Sequence, residues 1–222
     1  MRNSILLFLM VFATEVYAQD QLAIKKVLGL WDDASDVSGM VDAAIQMRSI
    51  SDEMPDTYLP AYWTAFYYSQ VGRQANQINR NAMEFYDSAQ VYLDRAHHAK
   101  AQMSALEKSD HYALQSLIYN LKAGAYWSVG DNQNGTDHVK KSSTALNQAI
   151  KEYDSNPRVY LLGGTDLVSN GLRLNNSAWI IAGREMLVKA KALYGDFKPA
   201  SDIAPSWGSS WINFWISRAK LD

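Results

Sequence analysis

Apolar residues recur every three or four positions along most of the chain, and this spacing constrains the fold more than any other feature. Such spacing places the apolar side chains on one side of an α-helix. No segment shows the strict alternation of polar and apolar residues that is typical of a half-buried β-strand. The sequence therefore predicts an all-α fold of eight or nine helices joined by short loops. The clearest recurring sets are Ala82, Phe85, Ala89, Tyr92, Ala96, Ala99 and Met103; Leu114, Leu117, Ile118, Leu121 and Ala125; Val139, Leu146, Ala149, Ile150 and Tyr153; and Ala178, Ala182, Met186, Ala190 and Leu193.

Glycine, proline and small polar residues mark where these predicted helices begin and end. Gly72, Gly130 and Gly195 lie where a helix needs a residue in the left-handed conformation to stop. Pro157 suits the first helical position, because its missing N–H has no partner there in any case. The pair Ser109-Asp110 offers side-chain oxygens for capping a helix N-terminus. These signals predict consecutive helices in antiparallel order.

The predicted helices alternate between bulky aromatic residues and small alanines. The segment at 123–131, AGAYWSVGD, resembles the first helix of a tetratricopeptide repeat, and the helix carrying Ala145 and Ala149 would be its partner. The spacing from Gly72 to Gly130 is far longer than the 34-residue tetratricopeptide period, so the repeats are degenerate. The pattern predicts a tetratricopeptide-like array of antiparallel helix pairs, an α-solenoid or superhelix, with a C-terminal capping helix.

The first residues have the pattern of a secretory signal. Arg2 provides a positive charge, residues 4–12 are almost entirely apolar, and Ala18 ends a short stretch typical of a cleavage site. The apolar run is shorter than the about 20 residues that a membrane-spanning helix needs. We therefore predict a signal peptide at residues 1–18 and a single helical-repeat domain at residues 19–222. The chain has no cysteine, which excludes a lipid anchor on a mature N-terminal cysteine, so we expect a periplasmic or secreted protein.

Composition limits the classes of partner. A net charge of -2 argues against a nucleic-acid partner, which would require a basic face. No second long apolar run follows the signal, so we expect no membrane span in the mature chain. The 7 tryptophans and 13 tyrosines suit either a binding surface or the joints between stacked helices, and composition does not separate these two uses.

No pattern indicates catalytic machinery. The chain has no nucleophile elbow, phosphate-binding loop or HExxH motif. His97 and His98 are adjacent on a helix, about 100° apart, and cannot easily face one metal together. His98 with His111 and Asp110 would form a partial zinc site at best. The segment at 131–137, DNQNGTD, has its glycine one place early for a calcium loop and predicts a turn between helices. We expect no enzyme, no cofactor and no metal, with a metal-dependent enzyme at the three histidines as the weakest alternative.

Three segments resemble exported tetratricopeptide-like helical-repeat proteins of Bacteroidota-type bacteria. They are YLPAYWTAFYY at 58–68, NPRVYLLGG at 156–164, and the tail at 190–197 followed by PSWG at 205–208. They are spread over most of the mature chain in the right order, and the Pro-x-Trp-Gly ending is the most specific part. The family's proline and Gly-Gly pair before the last long helix are missing from LRLNNS at 172–177. The resemblance implies a helical-repeat fold and an envelope location, and it implies no catalytic residues.

Aromatic residues crowd one predicted helix on all sides. Only a stripe of about 100° faces the core of an amphipathic helix, so some of these rings should lie outside it. We take Tyr58, Tyr62, Trp63 and Tyr67 as candidate binding residues, and the alternative is that every ring is wedged between repeats. The tail carries a second aromatic stripe at four-residue spacing, which we interpret as the inner side of the capping helix: Trp207, Trp211 and Trp215.

Two functions are compatible with these features. The first is a non-catalytic module of the bacterial cell envelope that binds a protein or peptide partner. The alternative is a carrier of a small-molecule ligand, with an aromatic-lined pocket inside the superhelix. An enclosed pocket near Tyr62 and Tyr67 would favour the carrier, and an open groove would favour the protein-binding module.

Overall fold

The structure is a computed structural model that describes residues 20–77 and 81–220, so the predicted signal peptide lies outside the described residues. In these two ranges the chain forms α-helices and short 3-10 helices without a β-strand, and the all-α prediction is confirmed. The helices are α1 (residues 20–33), α2 (Val37–Glu53), α3 (Tyr58–Gln77), α4 (Met83–His98), α5 (Ala105–Ser128), α6 (Asn132–Glu152), α7 (Pro157–Leu174), α8 (Ser177–Asp196) and α9 (Ile212–Arg218). The 3-10 helices are Ala99–Gln102 and Ser209–Trp211.

Short polar side chains begin most of these helices. The Asp36 carboxylate accepts a hydrogen bond from the Gly39 N–H at the start of α2. Ser104 caps α5 in a reciprocal arrangement with Glu107, and Asp131 caps α6. Such a cap contributes about 1 kcal/mol. The prediction that residues 131–137 form a turn between helices is wrong beyond Asp131, because residues 132–137 begin α6, where the Asp131 carboxylate accepts a hydrogen bond from the Asn134 N–H.

Some predicted helix boundaries are wrong. Gly72 lies inside α3, where a Cβ would be 2.5 Å from Cε1 of Tyr86, so the glycine is required by close packing of α3 on α4. Ser109 and Asp110 lie inside α5 and are buried. Gly195 belongs to the last turn of α8. A contact with α4 requires glycine at position 72, and the N-cap of α5 is Ser104 rather than Ser109 or Asp110.

The helices pack mainly in consecutive pairs, α3 on α4, α5 on α6 and α7 on α8. The odd-numbered helices α3, α5, α7 and α9 also adjoin one another in that order. Gly164 and Gly183 form the crossing of α7 and α8, where a Cβ on Gly164 would be 2.8 Å from the Gly183 carbonyl oxygen. The described chain is therefore a helical-repeat array. No helix in the described ranges is long and apolar enough to cross a membrane.

After α8 the chain returns across the odd-numbered helices. We call residues 197–211 the return segment. The indole N–H of Trp63 donates to the Ile203 carbonyl at 2.8 Å, and that of Trp207 donates to the Tyr62 hydroxyl oxygen at 2.7 Å. The rings of Phe66 and Trp207 stack with centroids 5.1 Å apart. The aromatic helix α3 is thus covered by the protein's own return segment.

A buried ion pair holds the return segment in place. Arg158 at the start of α7 is fully buried and pairs with Asp110 of α5, with 2.9 Å between Nη1 and Oδ1. The Arg158 guanidinium also donates to the Pro205 carbonyl, and Asn156 donates to the same Asp110 oxygen at 2.8 Å. Because these contacts satisfy most of the buried charge, α5, α7 and the return segment are fixed to one another.

The prediction that the three tryptophans of the tail lie on one helix is wrong. Gly208 has φ +104°, a conformation that favours glycine, and α9 begins only after Trp211. Trp207 therefore belongs to the return segment and Trp215 to α9, which packs against α7 and α8. The sharp turn lets Trp207 enter the core while Trp211 stays half-buried.

Candidate functional site

The four candidate binding residues lie in the core. Tyr58, Tyr62, Trp63 and Tyr67 are exposed by 7%, 0%, 4% and 1% respectively. The Tyr58 hydroxyl donates to the Glu107 carbonyl at 3.1 Å, and the Tyr62 hydroxyl accepts from Trp207. Burial raises the pKa of both phenols well above the ordinary value. The structure thus realises the alternative in which these rings are wedged between elements.

Two of these rings nevertheless line a pocket, which we call the aromatic pocket. It has a volume of about 320 Å³ and lies between α1, α3 and the return segment. In this pocket Trp63 and Tyr67 of α3 lie together with Trp31 of α1 and Trp207 of the return segment, which are distant in sequence. Its lining residues are Leu28, Trp31, Asp32, Trp63, Phe66, Tyr67, Asp202, Ser206, Trp207, Gly208, Ser209, Ser210 and Trp211.

Tyr67 is the unusual member of this lining. Its ring is stacked on Trp31 with centroids 4.0 Å apart and planes 7° apart. Its hydroxyl is buried and makes no hydrogen bond within the described chain. Burial raises the pKa of Tyr67, with a smaller effect from the Asp32 carboxylate, so the hydroxyl stays neutral. A neutral, unpaired hydroxyl can donate to or accept from a ligand.

The mouth of the aromatic pocket is polar. Asp32 of α1 and Asp202 of the return segment are both exposed. Asp202 accepts a hydrogen bond from Lys25 at 2.6 Å, and Lys25 lowers the pKa of this carboxylate. The pocket therefore combines aromatic walls with carboxylates and serine hydroxyls at its entrance. This combination suits a small molecule with a planar apolar part.

A second cavity, which we call the polar cavity, lies between α3, α5, α7 and α9. Its volume is about 190 Å³. Trp211 lines both the polar cavity and the aromatic pocket. The polar cavity is lined by Arg73, Ser116, Leu117, Asn120, Leu121, Leu162, Thr165, Asp166, Ser169, Trp211 and Trp215.

Several polar groups of this cavity are incompletely satisfied. The Nε of Arg73 and the Oγ1 of Thr165 are buried and make no hydrogen bond within the described residues. The Arg73 guanidinium lies 4.8 Å from the Trp211 ring centroid, and burial lowers the pKa of Arg73. Burial raises the pKa of Asp166 to about 7, although a hydrogen bond from the Asn120 amide acts in the opposite direction.

The histidines do not assemble the site considered from sequence. Nδ1 of His97 and Nε2 of His111 are 3.3 Å apart, whereas His98 is exposed. Among the described residues, no group of three or more His, Cys, Asp or Glu side chains could hold a metal ion. The candidate sites are therefore the aromatic pocket and the polar cavity, which are both lined by Trp211.

Sequence reasoning missed both ionisable residues of the polar cavity, Arg73 and Asp166. Asp166 occurs at helical spacing with Leu162 and Ser169. A charge on an otherwise core-facing stripe was the available signal, because such a charge is rarely buried without a partner. Arg73 carried no comparable signal.

Comparison with known proteins adds no identity to this geometry. The sequence matches no protein-family model, and no curated protein or solved structure is detectably similar to it.

Proposed function

We propose that this protein is a non-catalytic, tetratricopeptide-like binding protein of the bacterial envelope that holds a small ligand in the aromatic pocket. The proposal includes export by the signal peptide at residues 1–18 to the periplasm or the medium. It also includes a superhelical arrangement of the helix pairs, with the odd-numbered helices on the inner side.

The observation that carries the proposal is the unpaired Tyr67 hydroxyl within an aromatic lining. Small-molecule sites are usually cavities of about 300–1,000 Å³ with mostly apolar walls and a few placed polar groups. The aromatic pocket, at about 320 Å³, lies at the lower end of this range. Leaving a buried hydroxyl unpaired costs about 1–3 kcal/mol, a cost that a ligand's polar group would remove.

A peptide or protein partner is the second candidate, and one observation favours it. Side chains of the array bind backbone carbonyls of the return segment, as they would those of a bound peptide. Trp63 binds the Ile203 carbonyl, Arg158 the Pro205 carbonyl, and Tyr194 the Trp207 carbonyl. A peptide on the same helices would have to displace the return segment. The small-ligand function needs no such displacement, and we therefore prefer it.

Native mass spectrometry of the protein purified from its own envelope fraction tests the proposal. We expect a bound small molecule whose addition to the ligand-free protein quenches tryptophan fluorescence, because four tryptophans line the aromatic pocket. Tyr67→Phe and Trp31→Ala should weaken its binding. Tyr86→Phe is the matched control, since Tyr86 is equally buried but lies outside the pocket lining.

Two outcomes would contradict the small-ligand function. One is purified protein that carries no small molecule and binds none from an envelope extract. The other is a bound ligand whose affinity is the same in the wild type, Tyr67→Phe and Trp31→Ala. A co-purified peptide that releases the return segment, detected by hydrogen exchange at residues 197–211, would support the second candidate instead.

A further inference from the structure

The polar cavity has two ionisable side chains in its lining, one basic and one acidic. Arg73 comes from α3 and Asp166 from α7. Both line the same cavity of about 190 Å³, yet neither a hydrogen bond nor an ion pair joins them in the described chain. The cavity therefore contains a basic group and an acidic group that are not paired with each other.

Arg73 lacks a counter-anion. No carboxylate of the described residues forms an ion pair with it, and its buried Nε makes no hydrogen bond. A guanidinium stays protonated in proteins, so its partial burial places a positive charge where solvation is weak. The contact with the Trp211 ring compensates only in part. A carboxylate in the cavity would supply the missing partner in a geometry that guanidinium groups favour.

Asp166 lacks a counter-cation. Its carboxylate accepts a hydrogen bond from the Asn120 amide, and no lysine or arginine of the described chain forms an ion pair with it. Arg73 is the other ionisable side chain in the cavity lining. Burial raises the pKa of Asp166 to about 7, and a cation beside it would restore the charged form.

We propose that the polar cavity binds a small zwitterion, an α-amino acid with an apolar side chain, whose carboxylate pairs with Arg73 and whose ammonium group pairs with Asp166. A zwitterion satisfies both charges at once, whereas a simple anion or cation satisfies one of them. This site does not depend on the aromatic pocket, because the two linings share no residue other than Trp211.

The size and walls of the cavity define the kind of amino acid. At about 30 Å³ per water molecule, 190 Å³ corresponds to about six waters, which is room for one amino acid of medium size. Leu117, Leu121 and Leu162 provide an apolar wall, and Trp215 adds an aromatic one. The unpaired Oγ1 of Thr165 provides a further hydrogen-bonding group beside Asp166.

Isothermal titration calorimetry on the wild-type protein tests the proposal. The probes are L-alanine, L-leucine and L-phenylalanine, each compared with the carboxylic acid that lacks its amino group and the amine that lacks its carboxylate. We expect at least one amino acid to bind about ten- to a hundredfold more tightly than either of its analogues, as for loss of one charge-assisted hydrogen-bonding group. Binding of no amino acid, or equal binding of an amino acid and its analogues, would overturn the proposal.

Variants assign the two charges. Asp166→Asn should abolish the preference for the amino acid over its carboxylic acid, and Arg73→Gln the preference over its amine. Arg184→Gln, at an exposed position of α8, is the matched control and should keep both preferences. If both variants fail to fold, the wild-type series still decides the matter. Retained preferences in folded variants would refute the assignment.

Proton release provides an independent readout. Burial raises the pKa of Asp166 to about 7, so the ligand-free protein holds protons on part of its Asp166 carboxyls at neutral pH. Pairing with the ammonium group should release these protons on binding, measured in buffers of different ionisation enthalpy. Asp166→Asn should release none. The aromatic-pocket proposal is tested by Tyr67→Phe and an envelope ligand, so the two proposals fail separately.

Discussion

Two tyrosine-to-phenylalanine substitutions in α3 should change the free energy of unfolding in opposite directions. Tyr67→Phe should stabilise the protein, and Tyr62→Phe should destabilise it. Tyr62 and Tyr67 lie on the same helix and are exposed by 0% and 1%. The Tyr67 hydroxyl makes no hydrogen bond, whereas the Tyr62 hydroxyl accepts one from the Trp207 indole at 2.7 Å. Tyr67→Phe and Tyr62→Phe therefore delete the same atom from opposite environments.

The expected magnitudes follow from hydrogen-bond energetics. An unpaired buried polar group costs about 1–3 kcal/mol, so Tyr67→Phe should raise the free energy of unfolding of the ligand-free protein by up to that amount. Tyr62→Phe leaves the buried Trp207 N–H unpaired, so it should lower the free energy of unfolding by about 1–3 kcal/mol. For a chain of this size, each kcal/mol shifts the melting temperature by roughly 2–4 °C.

Urea unfolding of the ligand-free proteins measures both changes, with circular dichroism as the signal. Similar m-values in the three proteins would show that the exposed surface on unfolding is unchanged. A lower midpoint for Tyr67→Phe would refute the reasoning, because it would mean that the hydroxyl is hydrogen-bonded in solution. Saturation with the envelope ligand should reduce or reverse the difference between the wild type and Tyr67→Phe, since Tyr67→Phe lacks the hydroxyl that we propose binds the ligand.

Three further predictions concern charge and processing. Arg158→Met should cost about 3–5 kcal/mol in urea unfolding, because it leaves Asp110 buried without its cation, and the Arg158→Met/Asp110→Leu double variant should recover part of that loss. Stability should fall as pH rises from about 4 to about 7, because folded Asp166, with its pKa of about 7, retains a proton that the unfolded carboxyl, with a pKa of about 3.9, releases. The slope should reach at most about 1.4 kcal/mol per pH unit, and a profile unchanged by Asp166→Asn would contradict it. N-terminal sequencing of the exported protein should begin at Gln19, and retention of residues 1–17 would disprove the predicted signal peptide.

The sequence by itself determined the helices, because helix formation depends on residues close in the chain. The three- and four-residue spacing of apolar side chains predicted an all-α protein, and the described residues confirm it. Pro157 begins α7, and Gly130, with φ +80°, follows α5, as their backbone preferences require. Local chemistry was sufficient for these features.

Packing decided the remaining boundaries and the position of each ring. Gly72 was expected to end a helix, but contact with Tyr86 of α4 made glycine necessary within α3. The rings of α3 are distributed around the whole helix, and periodicity alone left open which of them lie in the core. The return segment covers them through contacts such as Trp63 with Ile203, 140 residues apart in the sequence.

The two pockets were decided by tertiary structure alone. Arg73 and Asp166 lie on different helices and meet at one cavity only because α3 and α7 both border α5 and α9 closes the space. Tyr67 has an unpaired hydroxyl while Tyr62 does not, because Trp207 of the return segment lies against one ring and Trp31 of α1 against the other. Neighbouring residues determine which segments become helices, whereas the burial and pairing of a polar group depend on elements that only the folded chain brings together.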